Sequence, residues 1–248
     1  MKKILLVAAL SALFGNHAAQ AQETAPAAKP EHEVSFNAAL ATDYRYRGIS
    51  QTRLQPALQG GADYVNNPSG MYAGVWASTI KWTKDAGGGG SVEVDLYAGK
   101  RGALTSDISY DVGVLTYVYP SNGLAVSANT TEVYGQLSYG PAYLKYSHAT
   151  TNLFGFANSK NSGYLDLGAN IEIDSGLVLN LHAGHQSVKN NNASAYSDWK
   201  IGVTKDFGVL SASITVIGTN AGKLAYASPL TAQFLGKTAV VGVLSKTF

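Results

Sequence analysis

Three charged residues stand at alternate positions early in the chain, at Asp43, Arg45 and Arg47. Alternate side chains of a β-strand point to one face, so these three would share a face with Asn37. The opposite face would carry Phe36, Leu40, Tyr44 and Tyr46. Opposed charges across a narrow opening set a transverse field that selects small polar solutes. We therefore predict a charged, solute-selecting pore, whose lining candidates are Asp43, Arg45, Arg47, Asp63, Glu93, Asp95 and Asp111.

The same residues have a purely structural alternative. The two arginines could meet the acidic residues of neighbouring strands in a ladder of ion pairs. Such a ladder would tie down a loop or fill the interior, without selecting a solute. The spacing of the charges leaves both interpretations open.

A second pair of residues, His185 and Ser187, could act as a hydrolase dyad. They lie two apart and so share a strand face with Leu181 and Ala183. On the lipid side of a membrane strand, this pair resembles the histidine and serine of outer-membrane phospholipases. However, the chain continues with Val188 rather than with the Asn-Gly of that family, and no third, orienting group is assignable. We therefore predict no catalytic site and no enzyme activity.

Metal and cofactor sites find little support in the remaining motifs. His182 and His185 are three apart, so on a strand they point to opposite faces and cannot share a metal. The glycines at 87–90 are not followed by the Gly-Lys-Ser/Thr of a phosphate loop. The chain has no cysteine, which excludes thiolate ligands and disulfides. We predict no metal and no cofactor.

The elements that must position these residues are strands, because apolar and polar residues alternate in about twelve segments. Five short links, at 66–70, 102–106, 140–141, 174–176 and 206–208, alternate with six long ones, at 48–54, 84–90, 119–130, 150–161, 189–195 and 219–235. Outer-membrane barrels have even strand numbers, short turns at one end and long loops at the other. The predicted fold is therefore an all-β, transmembrane, antiparallel up-and-down β-barrel of about twelve strands, over residues 33–248. A soluble β-sandwich shares part of the composition but has no reason to sort its loops by length.

Aromatic residues and glycines give two further expectations. Aromatic residues at strand ends suit girdles at the two membrane interfaces. These residues are Tyr44, Tyr46, Trp82, Tyr117, Tyr143, Tyr146 and Trp199. About eight strands leave an interior filled by side chains, whereas about 16 to 18 leave an aqueous channel. Twelve strands lie between, and inward glycines favour an open path, namely Gly61, Gly99, Gly113, Gly168, Gly184 and Gly202.

Both ends of the chain resemble targeting signals. Lys2 and Lys3, an apolar run at 4–14 and a small-residue site ending at Ala21 predict a signal peptide over 1–21. Residues 22–32 are rich in Pro and Ala and predict a disordered periplasmic lead-in. The last strand ends at Phe248, as in outer-membrane barrels, where a terminal Phe is an assembly signal. We therefore predict secretion through the inner membrane and residence in the outer membrane of a Gram-negative bacterium, with membrane lipid and the barrel assembly machinery as partners.

Charge argues against a nucleic-acid partner. Removal of Lys2 and Lys3 with the signal peptide lowers the 18 basic residues to 16, which equals the number of acidic residues. A mature chain without excess positive charge has no electrostatic attraction for phosphate backbones. We predict no nucleic acid among the partners.

The segment 42–52, Thr-Asp-Tyr-Arg-Tyr-Arg-Gly-Ile-Ser-Gln-Thr, resembles the signature of the TorF porin family, roughly S/T-D-Y-x-x-R-G-x-S-Q-T. Segments 59–64, 70–76, 93–97 and 244–248 resemble that family in the same order, so the match covers essentially the whole mature chain. The resemblance implies a proteobacterial outer-membrane barrel whose solute is undefined. We predict a porin-like channel for passive diffusion of small hydrophilic solutes. The alternatives are a non-transporting barrel that acts as an adhesin or structural protein, and the phospholipase.

Overall fold

The computed structural model describes residues 30–248, so the predicted signal peptide and residues 22–29 of the predicted lead-in lie outside the described part. Twelve antiparallel strands close into a barrel in the order β1-β14-β13-β12-β11-β10-β9-β8-β7-β6-β5-β4. They are β1 (His32–Ala41), β4 (Ala57–Asn66), β5 (Met71–Thr79), β6 (Val92–Ala103), β7 (Ile108–Val118), β8 (Thr130–Tyr139), β9 (Ala142–Ala149), β10 (Gly163–Asp174), β11 (Leu177–Ser187), β12 (Tyr196–Asp206), β13 (Ser211–Thr219) and β14 (Ala239–Thr247). The predicted fold class is confirmed.

Four short elements lie outside the barrel wall. The strands β2 (Arg45–Tyr46) and β3 (Ile49–Ser50) form a small hairpin within the first long connection. A single-turn helix, α1 (Trp82–Asp85), and a 3₁₀ turn (Asn192–Ser194) lie in later connections. Among residues 30–248, no helix combines the length and apolar character needed to cross a membrane.

The connections sort by length to the two ends of the barrel, as predicted. Five short turns join β4 to β5, β6 to β7, β8 to β9, β10 to β11 and β12 to β13, at what we name the turn end. Six loops occupy the other end, the loop end: L1 (42–56), L2 (80–91), L3 (119–129), L4 (150–162), L5 (188–195) and L6 (220–238). Antiparallel neighbours force this alternation, so all six loops meet around one mouth.

The two faces of the wall differ in polarity, because every strand alternates. On β6, Glu93, Asp95 and Tyr97 are buried inside the barrel. Leu96, which lies between Asp95 and Tyr97, points outward and is half exposed. The same alternation leaves many large apolar side chains exposed on the outer face. A polar interior and an apolar exterior are typical of transmembrane barrels.

The two ends of the described chain meet at the seam between β1 and β14. Asn37 to Ala41 pair with Thr247 to Val243, and Phe36 and Phe248 exchange two backbone hydrogen bonds of 3.2 and 2.8 Å. On its other side, β1 pairs with β4 over ten positions. The carboxy-terminal residue is therefore part of the ladder that closes the barrel.

Tyrosine rings cover most of the inward glycines that the sequence suggested would leave space. A Cβ built on Gly99 would lie 2.4 Å from the Tyr72 hydroxyl, and one on Gly168 would lie 2.4 Å from the ring of Tyr143. The same holds for Gly74 under Tyr97, Gly113 under Tyr134 and Gly184 under Tyr164. Glycines in a barrel wall thus receive aromatic rings from neighbouring strands. The expectation that inward glycines open the path was wrong for Gly99, Gly113, Gly168 and Gly184, since tyrosine rings lie against them.

Candidate functional site

The first loop, L1, folds into the barrel instead of standing above it. The strand β1 ends at Ala41, and the motif at 42–52 turns inward as the β2–β3 hairpin. Tyr44, Ser50 and Thr52 are all buried. The prediction that β1 continues through this motif, with Tyr44 on the outer face, was wrong. The motif that resembles the TorF porins therefore lies inside the barrel.

Asp43 organises the fold of L1. Its carboxylate accepts hydrogen bonds from Ser50 Oγ at 2.5 Å, Thr52 Oγ1 at 3.0 Å and Arg45 Nε at 2.5 Å. Thr52 Oγ1 in turn accepts the backbone N–H of Tyr44 at 3.1 Å. A buried carboxylate with three donors is a stable anchor, so L1 holds its own shape.

Arg45 ties L1 to the last loop. Its Nη1 donates to the carbonyls of Gly48, Leu235 and Lys237 at 2.9, 3.0 and 3.0 Å. The latter two belong to L6. The predicted pore-lining candidates Asp43 and Arg45 are thus near the lumen, but they bind each other and the loops.

Arg47 extends from L1 to the opposite wall. Its Nη1 and Nη2 bind Glu132 of β8 at 3.1 and 2.7 Å, and Nη1 also donates to Gln186 of β11 at 2.6 Å. The guanidinium lies 4.7 Å from the ring centre of Tyr46 and 4.1 Å from that of Tyr164. Burial alone would lower the pKa of Arg47, but the attraction of Glu132 outweighs it and raises that pKa well above its usual value. L1 is therefore pinned across the lumen by a permanently charged group.

The other side of L1 packs against the wall of β5 and β6. Tyr44 donates a 2.9 Å hydrogen bond to Glu93, and its ring lies edge-on to Trp76 with 5.3 Å between the centroids. Trp76 is 0% exposed. This side of L1 is therefore packed against the wall.

The four predicted wall acids all face inward, but neither arginine binds them. Asp63 accepts from Tyr97 at 2.6 Å, Asp111 from Tyr72 at 2.5 Å, and Glu93 from Tyr44. Asp95 is fully buried, and its oxygens have no hydrogen-bond partner among residues 30–248. The sequence analysis missed Glu132, although it stands in phase with inward Tyr134 and Gln136 on β8 and could have been found by that alternation.

A second anchor joins three loops above the barrel. Asp85 of α1 accepts Nε and Nη2 of Arg53 from L1, the former at 2.7 Å, and Ser228 Oγ of L6 at 2.9 Å. L1, L2 and L6 therefore share one carboxylate, which we name the Asp85 clamp.

The Asp85 clamp holds L1, L2 and L6 together only while Asp85 is ionised, so we expect these loops to loosen at acidic pH. Burial raises the pKa of Asp85, but the hydrogen bonds from Arg53 and Ser228 outweigh it and hold the pKa below its usual value. The pKa of Asp85 is lower in the folded protein than in the unfolded chain, where it is about 3.9. The clamp therefore stabilises the loops fully when the pH is above the unfolded pKa, and it loses this effect as the pH falls through the folded pKa. We expect hydrogen-exchange protection in L2 and L6 to fall below about pH 4. Asp85→Asn should lack that protection at every pH; a variant whose protection still falls on acidification would contradict the assignment.

A chamber at the loop end, which we name the vestibule, has a volume of about 270 Å³. Seven of its eighteen lining residues are aromatic, and Trp82 and Tyr119 stand edge to face at 5.0 Å. Its other aromatic residues are Tyr46, Phe154, Phe156, Tyr196 and Tyr226. The vestibule is thus a largely apolar mouth, bordered by Tyr46, Ile49 and Ser50 of L1.

A second chamber, which we name the lower chamber, lies beneath Arg47 and has a volume of about 190 Å³. Its charged wall spans β9 to β12 and carries Lys145, Asp166, His182, Asp198 and Lys200, which we name the charge ladder. His182 Nδ1 lies 2.8 Å from Asp166, and His182 Nε2 lies 2.8 Å from Asp198. A neutral imidazole donates from one nitrogen only, so this geometry fits the doubly protonated, cationic ring. The charges then alternate in sign from β9 to β12.

The structure shows where the suggested His185–Ser187 dyad and the expected aromatic girdles lie. His185 Nδ1 lies 3.0 Å from Ser197 Oγ, whereas Ser187 Oγ bonds to the backbone of Gly163 at 3.1 Å, so the hydrogen bonds of the suggested dyad go to different partners. The girdle assignment was wrong for Tyr44, Tyr117 and Tyr143, which are buried inside the barrel. Of that set, Tyr146 and Trp199 are exposed on the outer face.

The closed wall, polar lumen and sorted loops define a porin-like barrel. A sequence-family model described as "Bacterial protein of unknown function (Gcw_chp)" matches residues 24–248, and the chain belongs to this family. No curated protein sequence matches it. The NanC porin structure is similar at a TM-score of 0.53 with 11% identity, covering 87% of this chain and 98% of that one. A membrane protein solved in a study of in-meso crystallization is similar at a TM-score of 0.52 with 9% identity, covering 87% of this chain and 83% of that one. These likenesses establish the fold.

Proposed function

We propose that this protein is an outer-membrane channel through which small hydrophilic solutes diffuse passively, with L1 as its constriction. The observation that carries the proposal is the arrangement of two chambers on either side of Arg47, inside a wall that is polar within and apolar without. The similarity of the fold to the NanC porin supports it. The solute gradient drives transport, and the proposal includes no cofactor and no catalysis.

The proposed path has three stages. A solute enters the vestibule, passes the contact of Arg47 with Glu132 and Gln186, and reaches the lower chamber. Tyr46 borders both chambers and Arg47 borders the lower one, so we assign the constriction to these two side chains. Charged groups at a constriction replace part of the hydration shell of a polar solute and select by charge and size.

The proposed location follows from the outer face. Exposed apolar side chains such as Leu58 and Ile214 would contact membrane lipid, and the barrel assembly machinery would insert the chain. The signal peptide predicted for 1–21 would take it across the inner membrane. The TorF resemblance supports the same location.

Planar-bilayer recording of the refolded protein tests the proposal directly. We expect discrete conductance steps, and a gel shift between unheated and heated samples verifies that the barrel is folded. Silence from a folded barrel would contradict the proposal and favour a non-transporting adhesin or structural barrel. Release of fatty acid from phospholipid, lost in Ser187→Ala, would favour the enzyme instead.

A further inference from the structure

The charge ladder ends in a lysine on each side. Lys145 of β9 stands opposite Asp166 of β10 in the register, and Lys200 of β12 stands opposite His182 of β11. With a cationic His182, the ladder carries three positive and two negative groups. The charge ladder therefore gives the wall of the lower chamber an excess of positive charge.

The acidic members of the ladder are both bonded to His182. Asp166 and Asp198 each bind one nitrogen of the ring, and Asp198 also accepts the Tyr164 hydroxyl at 2.8 Å. A carboxylate paired with a cationic ring attracts a passing cation less strongly than a free one does. The ladder therefore favours an anion over a cation.

The lysines, in contrast, are not bonded to the carboxylates near them, which are Asp111, Asp166 and Glu132 for Lys145 and Asp166 and Asp198 for Lys200. Within the described residues 30–248, neither Lys145 nor Lys200 makes an ion pair or a hydrogen bond, and the Lys145 ammonium lies over the ring of Tyr134 at 4.1 Å. Both side chains are only partly exposed and border the lower chamber. An ammonium group removed from bulk water attracts an anion strongly, since the local dielectric is low.

Neutral donors border the same space. Ser213 and Thr215 of β13 line the lower chamber, and their hydroxyls make no hydrogen bond to any residue in 30–248. A hydroxyl can donate to a carboxylate oxygen while the ammonium groups supply the charge. Donors and charges thus converge on one cavity, whose volume suits a small molecule.

We propose that the lower chamber binds small organic anions bearing carboxylates, held between Lys145 and Lys200, and that it makes the channel selective for them. The selectivity rests on the proposed channel function, whereas the binding site does not. Succinate, a small dicarboxylate, is the probe we choose.

Two measurements on the full barrel test the proposal. Calorimetric titration of succinate into detergent-solubilised protein measures the site, and the reversal potential in a salt gradient measures the selectivity. We expect Lys145→Gln/Lys200→Gln to weaken succinate binding about tenfold or more and to shift the reversal potential toward cations. Lys145→Arg/Lys200→Arg should retain binding. Lys205→Gln, also on β12 but at the turn end, where Lys205 donates to the Ser175 carbonyl, should leave both readouts unchanged.

The outcomes separate the two proposals. If the barrel conducts but does not bind succinate, the anion site is overturned and the channel stands. The same conclusion follows if the wild type and the glutamine variant bind succinate equally. Binding that the glutamine variant loses, in a barrel without conductance, would support the site and overturn the channel. A gel shift for each variant verifies that the fold is intact.

Discussion

Replacing Arg47 with alanine should raise single-channel conductance by about twofold or more, because the side chain that crosses the lumen is removed. The variant loses the contacts with Glu132 and Gln186 and the stacking against Tyr46 and Tyr164. L1 then keeps its internal anchor, its ties to the loops and the contacts of Tyr44 with Glu93 and Trp76. Planar-bilayer recording against the wild type is the measurement.

Removal of Arg47 alone also leaves Glu132 buried without its cation, which destabilises proteins by about 3 to 5 kcal/mol. The double variant Arg47→Ala/Glu132→Gln relieves that penalty while keeping the widened path. Lys160→Ala, in the exposed part of L4, is the control for loss of a charge at the loop end. Equal conductance in the wild type and the double variant would show that Arg47 does not set the constriction.

The second large effect is expected at Trp76. Trp76→Ala removes a fully buried ring that packs against Tyr44, and such truncations cost about 3 to 5 kcal/mol of unfolding free energy. Urea unfolding in lipid vesicles measures the loss. Val75→Ala is the matched control, since Val75 is the neighbour on β5 that points outward. A loss below about 1 kcal/mol for Trp76→Ala would mean that L1 and the wall repack without this contact.

The strands and the alternation of loops were predictable because both are local patterns. Period-two alternation fixes which side chains share a face, and antiparallel neighbours fix which end each loop occupies. The position of L1 was not predictable in the same way. Residues 42–47 continue the alternation of β1, so the pattern gives no sign that the wall stops at Ala41. What turns the chain inward is the set of donors around Asp43, which includes Ser50 and Thr52 further along the loop.

The bonding partners of the inward side chains were harder to predict than the strand faces on which those side chains lie. The inward direction of Asp63, Glu93, Asp95 and Asp111 was correct, but partners depend on which strands lie across the barrel. Arg47 reaches β8 and β11, and neither is a sequence neighbour of L1. The same holds for the glycines, because a glycine in the sequence does not show which aromatic ring of a neighbouring strand will pack against it.

The seam between β1 and β14 has a consequence for how the chain folds. Its partners lie roughly 200 residues apart in sequence, and contacts of such separation slow folding. The hairpins at the turn end can form early from local contacts, yet none of them closes the wall. The rate of closure is therefore governed by the length of the whole chain, and the last residue must be synthesised before the cylinder can exist.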